Sequence, residues 1–218
     1  MANTERARRR DDDVQKLDAP TSPGRADKTR AKILDAAEQV FGKRGYHGAS
    51  VVEITKKAGV GLGTFYLYFP SKIEIYRHLL RARQQEFIDA ARKAYQHPSD
   101  QREVVQNAFR AFFDWIAARP AVLRLMREAE FVDPTLLLEL YQTPADEFRE
   151  RLGKAMEHGY IRRTDPDVLA WALMGMAEFV TLRWIVWTGA SDLEPERFAA
   201  FVEVMSRALG VTLDQPDG

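Results

Sequence analysis

The segment that begins at Gly61 carries side chains suited to hydrogen bonding with a nucleic acid. If this segment is helical, Leu62, Phe65 and Phe69 share an inward face. The outward positions hold small, hydroxyl-bearing and apolar residues, with Tyr66 at the flank: Gly61, Gly63, Thr64, Leu67 and Tyr68. Glycine lets the backbone approach phosphate at a positively polarised helix N-terminus, and hydroxyl groups bond phosphates or base edges. The segment is therefore a candidate surface for contact with a nucleic acid.

Three predicted helices would position this surface. The first runs from about Asp27 to Arg44 and ends at Gly45. The capping box Ser50-x-x-Glu53 opens a short second helix, because each side chain can satisfy a free backbone N–H of the first turn. The turn Gly59-Val60-Gly61 then leads into the third helix. Two short helices joined by a glycine turn and preceded by a longer helix are typical of a helix-turn-helix unit.

Residues that typically begin or end a helix recur to the end of the chain, and no run alternates apolar and polar residues with a period of two. A second capping box, Ser71-x-x-Glu74, predicts a long helix to about Tyr95, which His97-Pro98-Ser99-Asp100 breaks. Further helices are predicted over residues 101–118, 120–131, 134–142, 143–159, 166–187 and 195–210. The predicted fold is all-α with about nine or ten helices.

Charge is distributed unevenly along a chain whose formal net charge is zero. Residues 27–72 contain eight Lys and Arg against four Asp and Glu, whereas residues 73–218 contain 18 basic and 23 acidic residues. This asymmetry is typical of a DNA-binding module on a neutral to acidic body. The chain has no cysteine, which excludes a disulfide scaffold and is consistent with a reducing cytosol.

The residues of the N-terminal unit resemble those of the TetR family. The resemblance rests on Thr29-Arg30-x-x-Ile33-Leu34-x-Ala36-Ala37, Phe41, Gly45-Tyr46, Ser50-Val51-x-x-Ile54 and Ala58-Gly59-Val60-x-x-Gly63-Thr64-Phe65-Tyr66-x-Tyr68-Phe69-Pro70-Ser71-Lys72. Beyond Lys72 only the length and the order of helices are similar. The resemblance implies an N-terminal helix-turn-helix domain, a C-terminal helical bundle for ligand binding and dimerisation, and a dimer whose third helices enter successive major grooves.

The resemblance also implies DNA-contacting roles outside the outward positions of the third helix. Tyr66 and Lys72 take phosphate-contacting positions, and the residues that could clamp the flanking backbone are Thr29, Arg30, Ser50 and Lys56. Each has a structural alternative: Ser50 as a helix cap only, Tyr66 as core and Lys56 as a solvated surface. The sequence departs from many relatives at Gly61, Leu62 and Leu67, so base readout is expected to be sparse and operator shape to contribute more of the specificity.

The central helices are rich in aromatic and methionine side chains, which form either ordinary core or an apolar effector pocket. Candidate ligand-binding residues are Phe109, Phe113, Met126, Glu130, Phe131, Tyr141, Phe148, Met174, Glu178 and Arg183. Glu128, Glu130, Glu178 and Arg183 are either paired structural charges or anchors for a ligand head group. The segment Arg127-Glu128-Ala129-Glu130-Phe131, together with Met174-Gly175-Met176 and Arg183-Trp184, loosely resembles family members that sense fatty acyl-coenzyme A. Arg124, Arg127 or Arg183 could meet phosphates. A hydrophobic drug suits the same lining.

The helix containing residues 169–187 is apolar around its whole axis, which predicts burial both within a protomer and against a partner. Glu178 and Arg183 interrupt it and argue against a membrane span. A twofold homodimer would match a palindromic operator. On this interpretation a charge at Ala177 should break the dimer.

The residues leave three functional classes to separate: a ligand-gated repressor, an all-helical enzyme and a DNA-binding architectural protein without a ligand. His47, His78, His97 and His158 are scattered and show no metal-ligand spacing, so neither an enzyme nor a metal or cofactor site is expected. A ligand-gated repressor released by its effector is favoured over an ungated or architectural DNA-binding protein. The predicted parts are a disordered tail (1–26), a DNA-binding domain (27–72), a ligand-binding and dimerisation domain (73–211) and a flexible C-terminus (212–218). The N-terminus lacks a signal peptide, so a cytoplasmic location is expected.

Overall fold

The computed structural model describes residues 23–94 and 101–211, and these form nine α-helices without a strand. The helices are α1 (Pro23–Gly48), α2 (Val51–Ala58), α3 (Leu62–Tyr68), α4 (Lys72–Ala94), α5 (Gln101–Ala118), α6 (Pro120–Val132), α7 (Pro134–Glu157), α8 (Pro166–Thr181) and α9 (Pro195–Leu209). A π-helical turn, Leu182–Val186, continues α8. The all-α prediction is confirmed. The predicted break at 97–100, most of the predicted tail and the predicted C-terminus lie outside the described residues.

The N-terminal helices follow the sequence signals closely. Gly45 has a φ of +69° inside α1, so the regular helix is interrupted at the predicted residue and a final turn follows it. Both halves of the first capping box are present: Ser50 Oγ accepts from the Glu53 N–H, and Glu53 Oε2 accepts from the Ser50 N–H, each at 3.2 Å. Gly59 closes α2 in the left-handed conformation, with a φ of 62°. Local capping therefore fixes the helix-turn-helix connection.

The predicted break at Pro144 is wrong, because α7 runs through this residue without ending. A proline inside a helix removes the N–H that would bond the carbonyl four residues earlier. That carbonyl belongs to Leu140, and it accepts instead from Gln84 Nε2 of α4 at 2.6 Å. The side chain from a neighbouring helix thus replaces the missing donor and lets α7 continue.

Two large hydrophobic cores organise the described residues, and a small third cluster contains Ile116, Leu123 and Leu182. The first joins α1, α2, α3 and the first half of α4 to α6 and α7, and its fully buried rings include Phe41, Phe65, Phe69 and Tyr76. The second joins α5, α7, α8 and α9 around Phe113 and neighbouring apolar side chains. Because α6 packs into the first core, the N-terminal helices rest directly on the C-terminal bundle.

Ion pairs hold α4 against its neighbours. The buried Arg83 guanidinium contacts Asp35 and Glu38 of α1, with Glu38 Oε2 at 2.6 Å from Nε. Arg77 Nε lies 2.6 Å from Asp133 Oδ2, at the start of α7. Since α4 carries both sets of contacts, it is bonded to the N-terminal unit and to the bundle.

Candidate nucleic-acid interface and effector cavity

The outer surface of α3 is more apolar than the sequence predicts. Leu67 is 84% exposed, Tyr66 51% and Leu62 47%. The prediction that Leu62 points inward is therefore wrong: Phe65 is the buried residue of this seven-residue helix, and Phe69, which follows the helix, is also fully buried. Helical periodicity assigned Leu62 to the core, but its exposed side chain is free to make an apolar contact with another molecule. Val52 of α2, which is 64% exposed, was not selected from the sequence.

Glycines leave open space at the start of α3. A Cβ built on Gly63 meets nothing within 4 Å, and one built on Gly61 meets only Thr64 Oγ1, at 3.8 Å. Neither glycine is therefore required for packing within the protein. Thr64 and Tyr68 are partly buried, and Tyr68 packs on the first core. A glycine inside a helix destabilises that helix relative to alanine. The presence of glycine at position 63 is therefore consistent with close approach of another molecule to the helix backbone.

Lys72 makes structural bonds at the start of α4. Its Nζ donates to the Tyr46 carbonyl and to the Ala49 carbonyl, each at 2.9 Å, and lies 4.5 Å from the centre of the Tyr46 ring. These contacts connect α4 to the turn between α1 and α2. A phosphate contact by Lys72 stays a prediction, and any such contact would share the ammonium group with two carbonyls.

The other predicted flanking residues lie on α1 and α2. An Arg30 Nη2 lies 3.1 Å from His78 Nδ1, and the guanidinium lies over the Phe69 ring. Burial and the Arg30 charge lower the pKa of His78 below its ordinary value of 6.5. Ser50 is engaged as the cap of α2, whereas Lys56 is exposed. Thr29 is partly buried at the same end of α1. DNA contact by these residues stays a prediction.

We expect Lys72→Ala to have two separable effects. Loss of the ammonium leaves the Tyr46 and Ala49 carbonyls without their donor, which should cost about 1–3 kcal/mol of stability. If Lys72 also contacts phosphate, binding should weaken on all DNA sequences and the salt slope should fall by about one unit. Thermal unfolding and binding at several salt concentrations measure the two effects. Lys93→Ala, an exposed lysine at the other end of α4, is the control. An unchanged salt slope would assign Lys72 a structural role alone.

A cavity of about 160 Å³ lies among α4, α5, α6, α7 and α8. Its lining is mostly apolar and includes rings from three helices, among them Phe87 of α4, Phe112 of α5 and Phe148 of α7. Its polar groups are largely bonded to other residues. Gln84 reaches the Leu140 carbonyl, and Arg92 Nη2 lies 2.6 Å from Glu147 Oε1. Such a site suits an apolar molecule that needs few hydrogen bonds.

Six of the ten predicted ligand-binding residues line this cavity: Phe109, Met126, Tyr141, Phe148, Met174 and Glu178. The structure does not bring the other four there. Phe113 is fully buried against Phe198 and Phe201 of α9. Phe131 is 83% exposed, and Glu130 and Arg183 are also exposed. Helical periodicity identified the right segments but not which face meets the cavity. Lining residues that were not selected include Gln84, Trp115 and Ala177.

Glu178 is a paired charge at the cavity wall. Tyr141 donates its hydroxyl to Glu178 Oε2 at 2.8 Å, and Arg127 Nη1 lies 3.3 Å from Oε1. Burial and the neighbouring carboxylate raise the pKa of Tyr141, so this phenol stays protonated and remains a donor. Of the alternatives stated for Glu178, the contacts favour a structural ion pair. Because Glu178 also lines the cavity, a molecule in the cavity can contact this ion pair.

Helix α6 faces the cavity and the N-terminal unit at the same time. Leu123 and Met126 line the cavity, whereas Val122, Leu125 and Ala129 belong to the first core. Glu128 Oε2 accepts from the Tyr46 N–H at 2.7 Å, just before α2. A Cβ on Gly42 of α1 would lie 2.7 Å from Ala121 Cβ, so these helices are in close contact. Glu128 thus joins α6 to the helix-turn-helix, a pairing across 82 residues that sequence spacing could not reveal.

Helix α8 is apolar on two sides, but only one is buried within the protomer. Ala177 is 4% exposed and lines the cavity, so the expectation that a charge at Ala177 reports on a dimer is wrong. The outer stripe contains Val168, Trp171 and Phe179, which are 65%, 37% and 68% exposed.

Among the described residues, Pro166–Val186 is also the one helix with the length and composition to cross a membrane. Its residues Ala170, Leu173 and Ala177 belong to the second core.

Comparisons with known proteins agree on the N-terminal unit. Residues 33–79 match the family model described as bacterial regulatory proteins, tetR family. The transcriptional activator FasR of Mycolicibacterium smegmatis is 36% identical over 106 residues, which cover 49% of this chain and 48% of FasR. The fatty acid metabolism regulator protein of Bacillus subtilis is 43% identical over 58 residues, 27% of this chain and 30% of that protein. The aligned part thus spans half or less of these relatives.

Solved structures extend the similarity to the C-terminal bundle at the level of the fold. FadR of Bacillus subtilis, solved in complex with stearoyl-CoA, matches with a TM-score of 0.71 at 22% identity, and the match covers 82% of this chain and 97% of FadR. The helix-turn-helix geometry, the matching family model and the shared all-helical fold lead to one assignment. The helix-turn-helix of residues 33–79 belongs to the tetR family of bacterial regulatory proteins, and the chain shares the all-helical fold of transcriptional regulators such as FadR.

Proposed function

We propose that this protein is a homodimeric transcriptional repressor that binds a palindromic operator and is released by an apolar effector. The observation that carries the proposal is the apolar cavity whose walls, α4 and α6, also pack against the helix-turn-helix. A molecule that enters the cavity changes the environment of the two helices that support the DNA-binding surface. A regulator working in this way acts on DNA in the cytoplasm and needs no catalytic group.

The DNA-binding half of the proposal rests on α3 and its surroundings. Leu62 and Leu67 supply exposed apolar groups that can contact thymine methyls, and Tyr66 supplies a hydroxyl that can reach phosphate. Gly61 and Gly63 permit close approach of the helix backbone. Because few polar side chains face outward, the shape of the operator contributes to specificity.

The dimer half rests on the outer stripe of α8. Val168, Trp171 and Phe179 recur at helical spacing on the exposed side, and Val204 of α9 is 54% exposed. A second copy with the same stripe would cover these residues in a twofold arrangement. That symmetry presents two recognition helices to two half-sites about 34–36 Å apart.

A long-chain acyl-coenzyme A is the effector that we favour, with a hydrophobic drug as the alternative. FadR of Bacillus subtilis was solved with stearoyl-CoA, and the matched curated relatives include a fatty acid metabolism regulator. The apolar lining suits an acyl chain, and the exposed Arg124 and Arg127 on α6 offer cations for a phosphate group. A hydrophobic drug would contact the apolar lining and would not need Arg124 or Arg127.

The test begins with selection of the bound sequence from random DNA, followed by anisotropy titrations with stearoyl-CoA. We expect a two-half-site operator and weaker binding as stearoyl-CoA is added. Gly63→Ala should weaken operator binding by about tenfold, on the scale of one lost base-pair contact. Gly153→Ala in α7, which also meets open space, should leave binding unchanged. Binding without sequence preference, or turnover of stearoyl-CoA by the protein, would contradict the proposal.

A ligand-responsive activator is the second candidate, because FasR is described as an activator. A promoter fused to a reporter separates the two in cells that contain or lack the protein. Repression predicts higher reporter output without the protein, and activation predicts lower output.

A further inference from the structure

A second, smaller cavity adjoins the effector cavity. It has a volume of about 80 Å³ and lies between α5, α7 and the end of α9. The two cavities share four lining residues: Ala108 and Phe109 of α5, and Phe148 and Arg151 of α7. Two of these four residues, Phe109 and Phe148, carry an aromatic ring at the common boundary. A ring that lies between two spaces can join them by turning to another rotamer.

The two rings of the shared wall are held differently. Phe109 is 6% exposed and packs edge-to-face against Phe201, with ring centres 4.9 Å apart. Phe148 is only partly buried, and within the described residues it packs against no other ring. Its χ1 and χ2 can change without the loss of an aromatic pair. Phe148 is thus the ring that can move, whereas Phe109 is fixed by α9.

The second cavity is chemically suited to the end of a hydrocarbon chain. Among its described lining residues only Arg151 carries a charge, and the others are apolar, including Val105, Leu152 and Leu209. The long aliphatic part of an arginine can itself cover apolar surface. The loop after α7 borders the cavity, and it is bonded to α9 by the Arg162 N–H, which donates to the Leu209 carbonyl at 3.0 Å.

We propose that the second cavity is an extension subsite for the far end of a long apolar effector, and that Phe148 separates it from the main cavity. This inference rests on the proposed function, and it identifies Phe148 as the residue that limits the length of the bound effector. In the position that it has in the structure, Phe148 lies between the two cavities and stops a chain at the boundary of the main cavity. Truncation of this ring joins the cavities, so longer chains gain contacts that shorter chains cannot reach.

The test compares unbranched acyl-coenzyme A thioesters, from decanoyl to eicosanoyl, by calorimetry with the full chain. For wild type we expect affinity to rise with chain length and then to level off. For Phe148→Ala we expect the rise to continue to longer chains, by up to about fourfold per added methylene that becomes buried. The readout is the chain length at which affinity levels off, which a general loosening of the fold would not move toward longer chains.

Two further variants test whether the change in preferred chain length depends on the second cavity. Phe87→Ala removes a ring that lines only the main cavity, so it should change affinity without moving the preferred length. Ala155→Leu narrows only the second cavity, and in the Phe148→Ala background it should restore the wild-type length limit. A preferred length that Phe148→Ala leaves unchanged, in a variant that unfolds cooperatively, would overturn the inference alone. Failure of wild type to bind any of these thioesters would overturn the proposed acyl effector and the subsite together.

Discussion

Phe179→Asp should convert the protein from a dimer to a monomer and reduce its affinity for a palindromic operator by about a hundredfold or more. Phe179 is 68% exposed on the outer stripe of α8, so the substitution does not disturb either core of the protomer. In a dimer the same carboxylate would be buried without a partner, which is strongly unfavourable. A monomer engages one half-site only and loses the affinity gained by binding two linked sites. Analytical ultracentrifugation and anisotropy with the selected operator measure the two effects.

Tyr160→Asp is the matched control for this substitution. Tyr160 is 52% exposed and lies after α7, outside α8 and α9. Its replacement adds the same charge at an exposed ring, and we expect the dimer and the operator affinity to be retained. A wild-type protein that is monomeric at micromolar concentration would contradict the assignment of α8 to a dimer interface.

Local signals in the sequence predicted the helix-turn-helix well because its form depends on neighbouring residues. The Ser50 and Glu53 capping box, the stop at Gly45 and the left-handed Gly59 involve contacts within a few positions. Such contacts are determined by residue type and spacing. Leu62 is the exception, since the axis of a short helix decides which of its apolar residues the core can reach.

The cavity was predictable only in outline, because its form depends on contacts distant in sequence. Phe109 and Phe113 lie one turn apart on α5 and both pack against Phe201 of α9, yet only Phe109 lines the cavity. Pro144 ends a helix by the usual rules, but the amide of Gln84 satisfies the carbonyl that it leaves free. The partners of Glu178 come from α6 and α7. No local pattern encodes these three arrangements.

The contacts of α6 suggest how occupancy of the cavity would reach the DNA-binding surface. Met126 lines the cavity, and two residues later Glu128 holds the Tyr46 N–H at the base of the helix-turn-helix. Tyr76 of α4 donates its hydroxyl to the Leu125 carbonyl at 2.6 Å, so α4 and α6 are also joined at the residue before Met126. We expect them to shift together when an effector separates the cavity walls. A displacement of a few ångströms is enough to misalign recognition helices with half-sites one turn apart.

Operator DNA should weaken effector binding by the same factor by which the effector weakens operator binding, about 5- to 150-fold. This equality follows because the free energy of forming the complex with both ligands does not depend on the order in which they bind. Calorimetry with stearoyl-CoA, on free protein and on the operator complex, gives one factor, and anisotropy with and without stearoyl-CoA gives the other. Ala177→Leu and Ala91→Leu narrow the cavity from α8 and α4, and each should reduce effector binding while operator affinity is retained. If stearoyl-CoA binds the free protein and the operator complex with equal affinity, it cannot be the effector, however tight its binding, because it has no preference between the two states to impose.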